Sequence, residues 1–187
     1  MEIKDFNGNV IKKEISEIEW DTETLSKDGF KHYMLKEIFQ ETMIIHNNLE
    51  GRIDFSKKQL IQSAFTFPQE KIKDIQKIFI LACGTSYYAA LVAKYAFEEL
   101  TGLPVEVDYA SEFRYRKVLL TKRDLTIVIS QSGETADTIS AINVCKAAGS
   151  HVMAITNVRG STISRKVDSV MYIKAGPEIG VASTKAF

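Results

Sequence analysis

The sequence predicts an α/β fold: a three-layer sandwich in which a five-stranded parallel sheet carries helices on both faces. Three observations predict it. Short apolar runs at 77–83, 105–109, 125–129, 151–156 and 169–173 recur through the later part of the chain, and such runs read as strands buried on both sides. Segments of helical periodicity separate them, the alternation that builds parallel, doubly wound sheets through right-handed crossovers. Hydroxyl-rich breaks at Thr85-Ser86 and Ser130-Gln131-Ser132 follow the first and third runs, at the strand ends where such sheets bind ligands.

The 187 residues suit one domain with a substantial core. Acidic and basic residues balance at 24 each. That balance argues against a broad nucleic-acid or membrane surface, which needs a basic excess. Cys83 and Cys145 lie far apart, match no metal spacing and sit in apolar segments, as reduced buried thiols do. Met1-Glu2-Ile3-Lys4-Asp5 is no signal peptide, and no apolar run is long enough to span a bilayer. A soluble, cytoplasmic protein is expected.

Residues 1–28 are charged, with a turn signal at Asn7-Gly8-Asn9, and read as a lead-in or linker with a weak hairpin. Trp20 is expected to dock on the body of the domain. The folded unit is expected to run from 29 to 187. Between Phe30 and Leu49, Met34, Leu35, Ile38, Phe39, Thr42, Ile45 and Leu49 fall at helical spacing. They predict an amphipathic helix with Glu37 and Glu41 on its polar side and Gly51 as its stop. Arg52 reads as a solvated helix-end charge; reaching an anion, a subunit partner or a carboxylate is the alternative. Residues 57–64 suggest a second short helix, limited by Pro68.

The strand–helix alternation then begins. A strand at 77–83 leads through Gly84-Thr85-Ser86 into a helix over 87–100, which Thr101-Gly102 ends and Pro104 keeps from continuing. A strand at 105–109 opens a short helix at 110–115. The strand at 125–129 is followed by a helix over 135–148, closed by Gly149. A strand at 151–156, a short helix over 161–167 and a strand at 169–173 complete the set. No long-period repeat interrupts it.

The stretch from Leu125 to Thr138 organises the rest. An apolar, β-branched run ends in Ser130-Gln131-Ser132-Gly133-Glu134-Thr135, and a helical pattern follows at once. Gly133 relieves a tight strand-to-helix turn. Such a turn aims the first free N–H groups of the helix, and its positive dipole end, beyond the strand tip. Ser130, Ser132 and Thr135 add hydroxyl donors, so the place suits a phosphate or similar oxyanion. Serine and threonine also cap helices without any ligand. Four polar side chains exceed what one cap needs, and the balance falls to a binding site.

The type of anion is narrowed by what the turns lack. Cys83-Gly84-Thr85-Ser86-Tyr87-Tyr88 has one glycine where a dinucleotide turn wants three, and no lysine follows a glycine-rich loop as in nucleoside-triphosphate sites. A single phosphate monoester fits better. His32, His46 and His151 belong to no triad or metal motif and read as structural. Cys83 reads as a small buried residue rather than a nucleophile. Glu134 reads as a cap or a partner for a basic side chain. Glu178 and Lys185 are candidates for polar sugar contacts.

Four segments resemble the glutamine–fructose-6-phosphate aminotransferases and, more broadly, the sugar isomerase (SIS) domains of flavodoxin-like topology. They are Ile80-Leu81-Ala82-Cys83-Gly84-Thr85-Ser86, Ala110-Ser111-Glu112-Phe113-Arg114-Tyr115-Arg116, Ser130 to Thr138, and Glu178 to Phe187. His32-Tyr33-Met34-Leu35-Lys36-Glu37-Ile38 is similar to the entry of that family's isomerase half. The resemblance implies that open-chain fructose 6-phosphate is bound, that ammonia from glutamine condenses at C2, and that a proton moves from C1 to C2 to give glucosamine 6-phosphate. It implies no metal or organic cofactor. Ser130, Gln131, Ser132 and Thr135 would then hold the phosphate, Thr85 and Ser86 would line the sugar site, and Val181 and Ser183 would contact the sugar.

The departures matter too. Residue two is Glu2, where that family carries its glutaminase cysteine, and one SIS unit stands where the family has two. The expectation is a linker plus the first SIS domain, with no catalytic acid or base of its own and a tendency to form homo-oligomers. A non-catalytic SIS-type sensor of sugar phosphate, or an assembly domain, is the alternative; Met1 to Asp28 carries no basic helix-turn-helix pattern for the sensor reading.

Overall fold

In the computed structural model, which describes residues 2–12, 25–61 and 65–187, a five-stranded parallel sheet forms the middle layer. In chain order the described α-helices are α1 (Tyr33–Leu49), α2 (Thr85–Thr101), α3 (Ala110–Phe113), α4 (Ala136–Ala147) and α5 (Thr162–Lys166). The strands are β1 (Ile53–Asp54), β2 (Gln59–Leu60), β3 (Lys77–Ala82), β4 (Val105–Tyr109), β5 (Asp124–Ser130), β6 (His151–Thr156) and β7 (Ser169–Tyr172). The large sheet runs β4-β3-β5-β6-β7, every neighbour parallel. Its central strand β5 is buried at all seven positions, as its unbroken apolar sequence requires.

Side-chain alternation along the strands splits the core in two. Phe79, Leu81, Val128 and Val152 face α3, α4 and α5 through Phe113, Ile142, Cys145 and Ile163. Ile78, Ile80, Val105, Leu125 and Ile127 face the other way, towards Ala90 of α2. Helices therefore cover both faces, as the alternation of runs demands.

Two expected elements are corrected. Residues 57–60 are not helical: β1 and β2 pair antiparallel, Ile53 with Leu60 and Asp54 with Gln59. The Asp54 carboxylate accepts from the N–H groups of Ser56 and Lys57, at 3.0 and 3.1 Å. This side-chain-to-backbone turn competes with helix initiation. Residues 62–64 of that expected helix, and Trp20, lie outside the described residues. At the start of the chain Lys4 bridges Val10 across the Asn7-Gly8-Asn9 turn.

The second correction concerns how α1 faces. The helix forms as the periodicity requires, but its apolar stripe looks outward: Leu35, Ile38, Phe39 and Ile45 are all exposed. The inward face carries Lys36, Glu37 and Ile44, and Glu37 is only 2% exposed. Polar bonds to the segment after β7 set this orientation. Asn48 Oδ1 accepts from Lys174 N at 3.0 Å, and Lys174 Nζ donates to Glu50 O at 3.0 Å. Arg52, expected as a solvated charge, instead donates to the carbonyls of Tyr172 and Asn48, and burial lowers its pKa.

Candidate functional site

The strand order places one reversal in the sheet. From β3 the chain moves outward to β4, then returns to the far side of β3 as β5. Loops leaving the carboxyl ends of β3 and β5 therefore diverge and leave a crevice between them. After β3, Gly84 adopts φ 59° and ψ −138°, a conformation open to glycine alone, and α2 starts at Thr85. After β5 the turn 131–135 leads into α4 at Ala136. Neither helix start carries a side-chain cap: Gly84 has none to offer, and the Thr135 hydroxyl is turned to Ser130. The leading N–H groups of both helices, with their dipoles, are thus left facing the crevice.

The turn after β5 is rigid for reasons that can be named. Ser130 Oγ accepts from Gly133 N at 3.1 Å and lies 3.0 Å from Thr135 Oγ1. Ser132 Oγ accepts from Glu134 N at 3.2 Å. Gly133 takes φ +67°, and a side chain there would collide with Ser161. Gly133 O accepts from Ile163 N at 3.0 Å, which ties the turn to α5. The Glu134 carboxylate leaves the crevice and accepts from Thr162 N at 2.8 Å. That backbone donor, with Arg165 nearby, holds the Glu134 pKa below the usual carboxylate value. The negative charge is therefore spent away from any anion bound between the loops.

The crevice has a volume of about 430 Å³, in the range of small-molecule sites. Thr85, Ser86, Ser130, Gln131, Ser132, Thr135 and Ser183 all line it, brought together from three segments. Val181 does not: it is 86% exposed, and Ala182 lines the opening in its place. Cys83 and Tyr88 also line it, and neither was singled out as a site residue from sequence. Tyr88 sits one helical turn after Thr85, so helical spacing from the hydroxyl pair was the available signal. Cys83, read as buried, is half-buried and borders the opening.

Among the described residues, the lining side chains include no lysine, arginine, histidine, aspartate or glutamate. An anion here meets hydroxyls and backbone dipoles rather than a cation. Beside it Tyr87 stacks on Tyr109 with ring centroids 3.7 Å apart. The Tyr88 hydroxyl pushes the Tyr109 phenol up to about 12, so this tyrosine stays neutral at physiological pH. Glu178 and Lys185, candidates for sugar contacts, lie off the lining. Glu178 accepts from Thr184 N and Lys185 N at 2.8 and 2.9 Å, and Lys185 Nζ donates to Gln40 Oε1 at 3.0 Å.

Comparison with known proteins gives a consistent picture. Residues 71–187 match the SIS domain. Over its full length the chain is 50% identical to the glutamine–fructose-6-phosphate aminotransferase (isomerizing) of Caldanaerobacter subterraneus subsp. tengcongensis, covering 31% of that protein. It is 44% identical to the Methanosarcina mazei protein of the same name, covering 30%. The chain thus spans about a third of the length of the curated relatives it matches. The solved C-terminal domain of glucosamine-fructose-6-phosphate aminotransferase from Francisella tularensis superposes with a TM-score of 0.80 at 41% identity, over 87% of this chain and 45% of that one. A glucosamine-6-phosphate deaminase from Thermotoga maritima, 21% identical, shares the fold with a TM-score of 0.64 over 82% of this chain and 43% of its own.

Proposed function

The chain belongs to the SIS domain family, and from that premise we propose that it is the sugar-phosphate-holding part of an isomerizing glutamine–fructose-6-phosphate aminotransferase. Residues 29–187 form the binding unit and 1–28 the lead-in. The ligand is fructose 6-phosphate or a related hexose phosphate. The single observation that carries this reading is the crevice at the sheet's reversal point. Hydroxyls of Ser130, Ser132 and Thr135 converge there with the uncapped starts of α2 and α4.

In this reading the phosphate is held by Ser130, Gln131, Ser132 and Thr135 together with leading N–H groups of α4. Dipoles directed at the anion stabilise it without a counter-cation. Thr85 and Ser86 meet the sugar from the other lip, and Ser183 from the third segment. Moving a proton between C1 and C2 needs a group that is basic at neutral pH. Among the described residues the lining carries no carboxylate, imidazole or amine to take that part. The chain by itself therefore binds the hexose phosphate and does not turn it over.

The same reading makes the chain a cytoplasmic component of a homo-oligomer. Two unpaired cysteines support the compartment, and the exposed stripe of α1 supports association. Among the described residues no helix is long and apolar enough to cross a membrane.

Titration calorimetry tests the proposal. Fructose 6-phosphate is expected to give a saturable heat and unphosphorylated fructose none; equal responses to the two would overturn it.

A further inference from the structure

The segment that brings Ala182 and Ser183 to the crevice is held by carboxylates on both sides. Upstream, Glu37 of α1 accepts from Ile179 N at 2.7 Å and from Gly180 N at 3.0 Å. Downstream, Glu178 accepts from Thr184 N, Lys185 N and Ala186 N, at 2.8, 2.9 and 3.3 Å, and from Ser183 Oγ at 3.0 Å. Between these anchors Ala182 and Ser183 take φ +79° and +35°, the left-handed region that side chains avoid. Backbone held there persists only when its surroundings over-determine it, and such residues gather at ligand sites. Phe187 packs into the core just beyond and pins the far end.

The fit at Gly180 is close. A Cβ on this residue would lie 2.3 Å from Glu37 Oε2. Glycine is needed here for space, because the carboxylate occupies the volume a side chain would fill. Glu37 is buried although it sits on a helix whose apolar stripe is exposed. The helix thus presents a carboxylate to the loop in preference to its own apolar residues.

We propose that Glu37 and Glu178 are positioning residues for the sugar half of the ligand. They act through the backbone of 179–186 to hold Ala182 and Ser183 at the opening, and neither touches the ligand itself. This inference rests on the hexose-phosphate reading above. It predicts a division of labour: the turn after β5 holds phosphate independently, and the α1-anchored segment adds the contacts that separate a hexose phosphate from bare phosphate.

The test compares two ligands on the 187-residue chain, fructose 6-phosphate and inorganic phosphate, by titration calorimetry. For Glu37→Gln and for Glu178→Gln, affinity for fructose 6-phosphate is expected to fall about tenfold, the weight of one charge-assisted contact. Affinity for inorganic phosphate is expected to stay within about twofold, because its donors lie elsewhere. Amide exchange at 179–186 should accelerate while 133–135 keeps its rate. Gly180→Ala, which pushes the loop off Glu37 without altering a carboxylate, should reproduce the pattern if either charge variant folds poorly.

Parallel loss of both ligands would overturn the proposal, since it would mark general loosening. Unchanged fructose 6-phosphate binding alongside accelerated loop exchange would overturn it as well. A wild-type chain that binds fructose 6-phosphate no better than inorganic phosphate would instead strike at the functional reading, an outcome separable from any variant pattern.

Discussion

The space Gly133 leaves empty belongs to Ser161: a Cβ at residue 133 would lie 2.1 Å from the Ser161 hydroxyl oxygen and 2.5 Å from its Cβ. The turn after β5 and the start of α5 are thus built in contact. Ser161 is 3% exposed and its oxygen accepts from Ser164 N, so it cannot swing aside without leaving α5 uncapped.

Gly133→Ala is accordingly expected to destabilise the chain by about 2–4 kcal/mol, from left-handed backbone strain and overpacking combined. Urea denaturation would read the loss, and hexose-phosphate binding should disappear with it. Pairing the change with Ser161→Gly should recover part of the stability; a neutral Gly133→Ala would contradict the packing described.

Ser132 and Ser130 should separate binding from folding. Ser132 Oγ accepts one bond from the exposed Glu134 N–H, and water can replace it. Ser132→Ala is expected to leave stability nearly unchanged and to weaken fructose 6-phosphate by about ten- to a hundredfold, the weight of a hydrogen bond to a charged group. Ser130 is buried and serves both Gly133 N and Thr135 Oγ1. Ser130→Ala should therefore also cost about 1–3 kcal/mol of stability by stranding a buried donor. Calorimetry and denaturation on the same two variants check both halves.

Neighbouring isoleucines of α1 should behave oppositely. Ile44 is 5% exposed and Ile45 61% exposed. Ile44→Ala is expected to cost about 2–4 kcal/mol through lost burial and a residual cavity. Ile45→Ala should stay within about 0.5–1 kcal/mol for the isolated chain, as surface changes do. Denaturation midpoints would show it, and a large cost at Ile45 would mean the outward stripe is covered in solution.

Cys145 and Cys83 should differ in reactivity and in pH response. Burial pushes the Cys145 thiol up to about 11, whereas Cys83 borders the crevice. The folded state holds the Cys145 proton more tightly than the unfolded chain. Stability from this group is therefore intact below about pH 9 and declines as pH rises towards 11. Cys145→Ala should flatten that decline, measured by thermal melts across the range. An alkylating reagent near pH 8 should label Cys83 first, and hexose phosphate should slow that labelling.

Much of the sheet was legible from local pattern. The runs beginning at Lys77, Val105 and His151 start their strands in the structure, and the hydroxyl clusters after the first and third strands do line one crevice. Val181 stands off the lining, exposed beside Ala182, whose left-handed φ no local pattern announces. The first residues of the helix expected over 57–64 are not helical, because the Asp54 carboxylate captures the backbone N–H groups of Ser56 and Lys57.

What the amino-acid sequence determines by itself is whatever depends on near neighbours: strand and helix periods, glycine at tight turns, and hydroxyls gathered at a strand tip. What only the tertiary structure decided is which way α1 faces and how the third lip of the crevice is held. Glu37 has the local pattern of a solvent-facing helical glutamate, yet its bond to Gly180 N spans 143 residues. No period contains such a pairing. It forms because the backbone N–H groups of Ile179 and Gly180, in a half-buried loop, find an acceptor in the carboxylate that the folded sheet brings beside them on α1.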